Sequence, residues 1–200
     1  MSVKVLFLGN SYTFFNDMPD TFAALCEENG IDVEVSRVLK GGYTLHSYLE
    51  PSDIYARRFA KAMREKKFDY VVIQEQSVRP ASHPDRFLSA AKTICDTVKA
   101  NGAVPVFYAT WGRRDDSETL VKYSWANCEE MLDLLRESYT RAAIENDALV
   151  AYVGDAMLEA YRTDKGEGVY HPDGSHPSAI GSEIAARTIF ATIFPSASEE

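Results

Sequence analysis

Two short segments at opposite ends of the chain carry residue types that could share one reaction. Near the C-terminus stands Asp173-Gly174-Ser175-His176-Pro177. An aspartate three residues before a histidine, just ahead of a helix, can turn its carboxylate onto imidazole Nδ1. The other ring nitrogen then faces a nucleophile as a base, with the carboxylate fixing its tautomer and stabilising its protonated form. Near the N-terminus, Ser11 follows Gly9-Asn10 at the end of an apolar run, the place for a hydroxyl nucleophile at a strand-to-helix turn. Each has a plainer reading alone: Ser11 as a helix N-cap, and Asp173 and Ser175 as turn residues beside an exposed His176. Jointly they are the parts of an acyl-transfer triad.

Such residues need a frame that brings both ends of the chain to one edge. Apolar runs predict strands at 3–8, 31–38, 68–74, 103–110 and 148–153. Helical spacing predicts helices at 18–29, 45–67 with a break near Pro51, 86–101, 120–146, 156–162 and 177–194. Gly30 and Gly102 close two of these helices, and Pro177 is read into the first turn of the last. Strands alternating with amphipathic helices imply a parallel sheet covered on both faces: a three-layer α/β/α, flavodoxin-like domain over 1–195, with 196–200 a frayed tail. Ligands bind such sheets at the C-terminal ends of the strands. The loops there are Gly9-Asn10-Ser11-Tyr12-Thr13, Gly41-Gly42-Tyr43-Thr44, Gln74-Glu75-Gln76-Ser77 and the Asp173–His176 segment.

In their order and spread along the chain, these blocks resemble the SGNH (GDSL-like) hydrolase superfamily, named for Ser, Gly, Asn and His blocks. Gly9-Asn10-Ser11 resembles the first block, with Asn where Asp is more usual. Gly42-Tyr43-Thr44 resembles the second and Asp173 to Pro177 the last. The third departs: Gln74-Glu75-Gln76-Ser77 stands where the family has Gly-x-Asn-Asp. The resemblance implies an esterase or deacetylase with Ser11, His176 and Asp173 as triad. It implies an oxyanion hole of the Ser11 and Gly42 backbone N–H groups and a glutamine amide, Gln76 by register or Gln74 as runner-up. Carbohydrate-acetylesterase branches of the superfamily also carry Gln in that block. The combination looks most like a bacterial branch. A small-acyl or carbohydrate ester is the implied substrate, and the mechanism calls for no metal or organic cofactor.

Other residues have two readings each. Asn10, Tyr12, Trp111 and His171 are candidate substrate contacts. Tyr12, Phe14 and Phe15 either wall an acyl pocket or staple the first helix to the sheet. Trp111 with Tyr108 and Trp125 offers either a sugar-stacking surface or packing. His83 either faces the site or lies in solvent, and His46, His83 and His171 show no metal-ligand spacing. Glu75 is expected to pair with Arg79 or Arg113, and Arg113 and Arg114 with Asp115 and Asp116, in a segment placed as lid or specificity loop.

The chain has 200 residues, 46% hydrophobic and 26% charged, the balance of a globular protein with a core. A net charge of -9 argues against nucleic acid and anionic membrane as partners. Three scattered cysteines, Cys26, Cys95 and Cys128, suggest neither a disulfide framework nor a zinc site. No apolar stretch has the length of a signal or membrane span, and a cytoplasmic location follows by default. The competing class is a non-catalytic binding domain of the same fold, which would not need Ser11, Asp173 and His176 together. A transferase with the same triad would differ in excluding water. A nucleotide binder lacks its glycine pattern and lysine.

Overall fold

The structure, a computed structural model, describes residues 2–163 and 166–197. In chain order the elements are β1 (Val3–Gly9), α1 (Ser11–Phe14), α2 (Met18–Glu28), β2 (Val33–Leu39), α3 (Ile54–Glu65), β3 (Tyr70–Ile73), α4 (Arg79–Ser82), α5 (Pro84–Asn101), β4 (Val104–Tyr108), α6 (Glu118–Tyr123), α7 (Cys128–Glu145), β5 (Leu149–Ala151), α8 (Val153–Arg162) and α9 (Ala179–Ile193). The five strands are all parallel in the order β2-β1-β3-β4-β5, the doubly wound order expected. The chain leaves β1 to one side for β2 and returns to the other for β3. Ser11, at the end of β1, therefore stands where the winding reverses and a crevice opens.

Period-two alternation divides the strand side chains between two cores. Leu6, Leu8, Val71, Ile73 and Phe107 face Phe59 of α3, Phe87 and Ile94 of α5, and Leu135 and Tyr139 of α7. Val5, Phe7, Val72, Val106 and Tyr108 face Phe22 of α2, Met157 of α8 and Ile189 of α9. Burial on both faces explains why these strands read as continuous apolar runs. Removing such a buried side chain, Phe7→Ala for example, costs about 3–5 kcal/mol. The three cysteines are free and buried. Among the described residues no helix is long and apolar enough to cross a membrane.

The boundaries differ where local capping overrides periodicity. The expected helix 120–146 is two helices: Ser124, at φ 57°, ends α6, and the Asn127 side chain caps α7 by accepting from the Glu130 N–H. Pro177 lies ahead of α9 rather than in its first turn, because Ser178 is the cap and accepts from the Gly181 N–H. Segment 45–67 divides into a 3-10 turn, Leu45–Leu49, and α3, which Asp53 caps. The short helix α4 was not expected. Residues 196 and 197 belong to a closing 3-10 turn with Pro195; the rest of the expected frayed tail lies outside the described residues.

Candidate active site

The turn after β1 is held from beneath by amides. Asn10 caps α1, its Oδ1 accepting from the Tyr12 N–H at 3.1 Å. The Asn10 Nδ2 donates to the Tyr43 carbonyl at 2.9 Å, and its backbone N–H donates to Gln74 Oε1 at 2.9 Å. Thr13 Oγ1 donates to the same Gln74 oxygen at 3.0 Å. A Cβ on Gly9 would stand 2.8 Å from that oxygen, so only glycine lets the strand end lie against the glutamine. Ser11 is thus the first residue of α1 and not its cap. Asn10 and Gln74 are buried. Asn10 works as a strut, and Gln74 supports the turn from below through Oε1 while its Nε2 donates to the Glu75 carbonyl.

The base loop meets this turn from the other end of the chain. Ser11 Oγ lies 2.9 Å from His176 Nε2, and His176 Nδ1 lies 2.7 Å from Asp173 Oδ2. Asp173 Oδ1 accepts from the backbone N–H groups of Ser175 and His176, both at 2.9 Å. Burial works to raise the Asp173 carboxyl, but the bonds from His176 and Ser175 outweigh it and hold it down at about 2. Phe15 stacks on the His176 ring at 4.2 Å. Asn16, in the left-handed region at φ 51° that asparagine tolerates, donates to the Pro177 carbonyl at 3.1 Å and ties the two loops together. His171 is exposed, and its Nδ1 lies 3.3 Å from Asp173 Oδ2, a second imidazole on the same oxygen.

The third loop is built differently. Gln76 is half-buried; its Oε1 accepts from the Val78 N–H at 3.1 Å and its Nε2 donates to Ser77 Oγ at 3.2 Å. An amide nitrogen carries two hydrogens, and these contacts use one. Glu75 is buried, with Oε1 accepting from the N–H of Leu45 at 3.1 Å and of Gln76 at 2.5 Å. One carboxylate oxygen thereby joins the second and third loops. Its Oε2 is buried without a partner, and burial pushes the carboxyl up to about 7, offset in part by those two bonds and the charge of Arg79. The expected ion pairs of Glu75 with Arg79 or Arg113 do not form. Gly42 lies in an exposed turn at φ +74°, where a Cβ would meet nothing within 4 Å. Backbone conformation, not crowding, is what calls for glycine there.

Trp111 and Tyr108 are buried, so they form no sugar-stacking surface with Trp125, which instead stacks on Tyr123. Trp111 lies flat on the Tyr12 ring at 4.5 Å and donates from Nε1 to the Ser175 carbonyl at 3.0 Å. Tyr12 is itself buried, its hydroxyl 3.0 Å from Ser175 Oγ. Both aromatic residues are walls behind the base loop rather than substrate contacts. Phe14 is exposed near the Gly41 turn. His83 is exposed and bonds to Ser82, and His46 lines a 710 Å³ groove with Arg79 and Arg86 that includes none of Ser11, Asp173 and His176. Arg114 pairs with Asp116 as expected, and its backbone N–H donates to the Gly174 carbonyl at 3.0 Å, bracing the base loop. Arg113 goes instead to Ser77. Among the described residues no group of His, Cys, Asp and Glu is arranged to hold a metal ion. Thr13, Ser77 and Ser175 lie inside the sequence blocks, where Ser175 reads as a turn residue; their part as polar joints of the site shows only in the structure.

No family model matches this sequence, and no curated protein matches it. Solved structures do. The chain is similar to a protein from Slackia heliotrinireducens described as an SGNH hydrolase, 32% identical, with a TM-score of 0.86 over 96% of this chain and 100% of that one. It shares its fold with a DUF4886 family protein from Bacteroides uniformis, 19% identical, TM-score 0.79, over 96% of this chain and 83% of that one. It also shares its fold with an acetylxylan esterase from Geobacillus stearothermophilus, 17% identical, TM-score 0.72, over 96% and 94%. Identity at that level over the whole of the first relative, with the same fold throughout, shows that the chain belongs to the SGNH hydrolases.

Proposed function

We propose that the protein hydrolyses small-acyl esters, acetyl esters of carbohydrates among them, through an acyl-enzyme on Ser11. The observation that carries this reading is the unbroken line from Ser11 Oγ through His176 to Asp173, at 2.9 and 2.7 Å. Ser11 Oγ attacks the ester carbonyl and gives its proton to His176 Nε2. His176 returns that proton to the leaving alcohol, then takes one from the water that attacks the acyl-enzyme carbonyl and gives it to Ser11 Oγ as the acid departs. Asp173 accepts from Nδ1–H throughout and stays ionised, since its bonds hold its proton affinity far below neutrality. The Ser11 and Gly42 N–H groups and the Gln76 amide receive the tetrahedral oxyanion. The small-acyl reading draws support from Phe14 and Phe15, bulky rings beside the nucleophile.

Hydrolysis of p-nitrophenyl acetate and butyrate by the wild type beside Ser11→Ala tests the reading. Activity confined to the wild type, with acetate favoured, is expected. Equal activity in both proteins would sink it.

A further inference from the structure

Arg113 leaves the C-terminal edge of the sheet just beyond β4. Its guanidinium carbon lies 5.6 Å from the centre of the Tyr12 ring, on the residue that follows Ser11. Its Nη2 donates to Ser77 Oγ at 2.7 Å, the same oxygen that receives the Gln76 amide. Tyr12 in turn stands 5.5 Å from the His176 ring. The guanidinium is therefore held between Ser77 of the third loop and the ring of Tyr12, which follows Ser11 and borders His176.

Two features of this cation are unexplained by packing. Its Nε is buried with no acceptor, and among the described residues no carboxylate comes within ion-pairing distance of Arg113. Its neighbour Arg114 holds Asp116 at 2.6 Å. Acidic partners are not scarce in a chain with 30 Asp and Glu residues. Among the described residues the side-chain contacts of this half-buried cation are a neutral hydroxyl and the face of the Tyr12 ring, and neither neutralises its charge. A bound anion would offset it, and the planar fork of arginine suits a carboxylate.

We infer that Arg113 recognises an anionic group, a carboxylate first of all, on the ester that Ser11 cleaves. The inference rests on the ester-hydrolase reading above. It makes the protein selective for charged esters, with Arg113 as a specificity-determining residue.

Paired substrates test it. 4-Acetoxybenzoate against its methyl ester places the charge on the alcohol side. Mono-4-nitrophenyl succinate against 4-nitrophenyl butyrate places it on the acyl side. The readout is the ratio of kcat/KM, charged over neutral, in the wild type, Arg113→Gln and Arg113→Lys. In one pair the wild-type ratio should exceed the Gln ratio by about 10-fold or more, with Lys recovering part of it. That pair also tells which side of the ester meets the cation. A ratio unchanged by Arg113→Gln in both pairs overturns the inference, including the case where both esters of a pair slow together. In that case Arg113 serves only to hold Ser77 and Gln76. If the wild type turns over none of the four esters, charged or neutral, faster than Ser11→Ala, the hydrolase reading itself has failed, and the inference falls with it before any Arg113 variant is assayed.

Discussion

Two carboxylates stand in loops at the same edge of the sheet, and their surroundings drive them in opposite directions. Asp173 is partly exposed, and hydrogen bonds reach both of its oxygens: two N–H groups on Oδ1 and His176 on Oδ2. Those bonds defeat burial, and the group stays charged down to about pH 2. Glu75 is wholly buried, receives its bonds on Oε1, and keeps its proton up to about pH 7. The difference lies in solvation and in the number of donors, not in residue type. The base loop can keep an anion beside a base, whereas the third loop uses a carboxyl to fasten two loops together.

The largest effect expected from breaking this contrast is at Asp173. Asp173→Asn leaves the shape of the loop but removes the charge and the tautomer control, and kcat should fall about 10⁴-fold. A fall of less than ten-fold, measured with p-nitrophenyl acetate, would mean the base loop does not act through its anion. In the third loop the two glutamines should separate. Gln76→Ala should lower kcat about 10²–10³-fold with the melting temperature kept. Gln74→Ala should instead lower stability by about 1–3 kcal/mol for each donor left unpaired beneath the turn, at Asn10 and Thr13. The reverse pattern would show the register of the third loop to be off by two.

Glu75 sharpens the contrast through pH. Below its ordinary value of 4.5 the group is protonated in both folded and unfolded chains and adds no pH dependence. Between 4.5 and about 7 the unfolded chain releases a proton that the folded chain keeps, so stability falls as pH rises. Above 7 the whole cost, about 3 kcal/mol, is present. Glu75→Gln should remove that slope, read as the change in urea unfolding free energy between pH 5 and pH 8. Equal slopes in the two proteins would mean the buried carboxyl is charged throughout. Asp173 has the opposite sign: its contribution is present above 3.8 and lost as pH falls toward 2. The smallest effect is expected at Phe15. Phe15→Leu loses the stacking on His176, worth about 0.5–1.5 kcal/mol, and should slow kcat several-fold. No change would reduce Phe15 to a surface residue.

The base loop was legible in the sequence because its contacts are local. Asp173 and His176 are three residues apart, and a turn suffices to join them. The sheet was legible because burial on both faces leaves continuous apolar runs. The third loop was not, because its meaning lies in contacts between distant segments. Gln74 and Gln76 look alike in sequence, yet β3 delivers the first beneath the Asn10 turn and the second to Ser77. Glu75 reaches Leu45 and Arg113 reaches Ser77 across the sheet edge, and no spacing announces either. Asn10 read as a substrate contact because it adjoins Ser11, whereas the structure uses its side chain to cap the helix and grip Tyr43.

Whether Ser11 is the activated nucleophile can be measured without knowing the substrate. A fluorophosphonate probe reacts with a serine whose hydroxyl is activated by a neighbouring base. Intact-mass and peptide analysis of the labelled wild type should show one adduct, on Ser11, absent in Ser11→Ala and much slower to form in His176→Ala. An adduct on another residue, or equal labelling of the Ser11→Ala protein, would contradict the account.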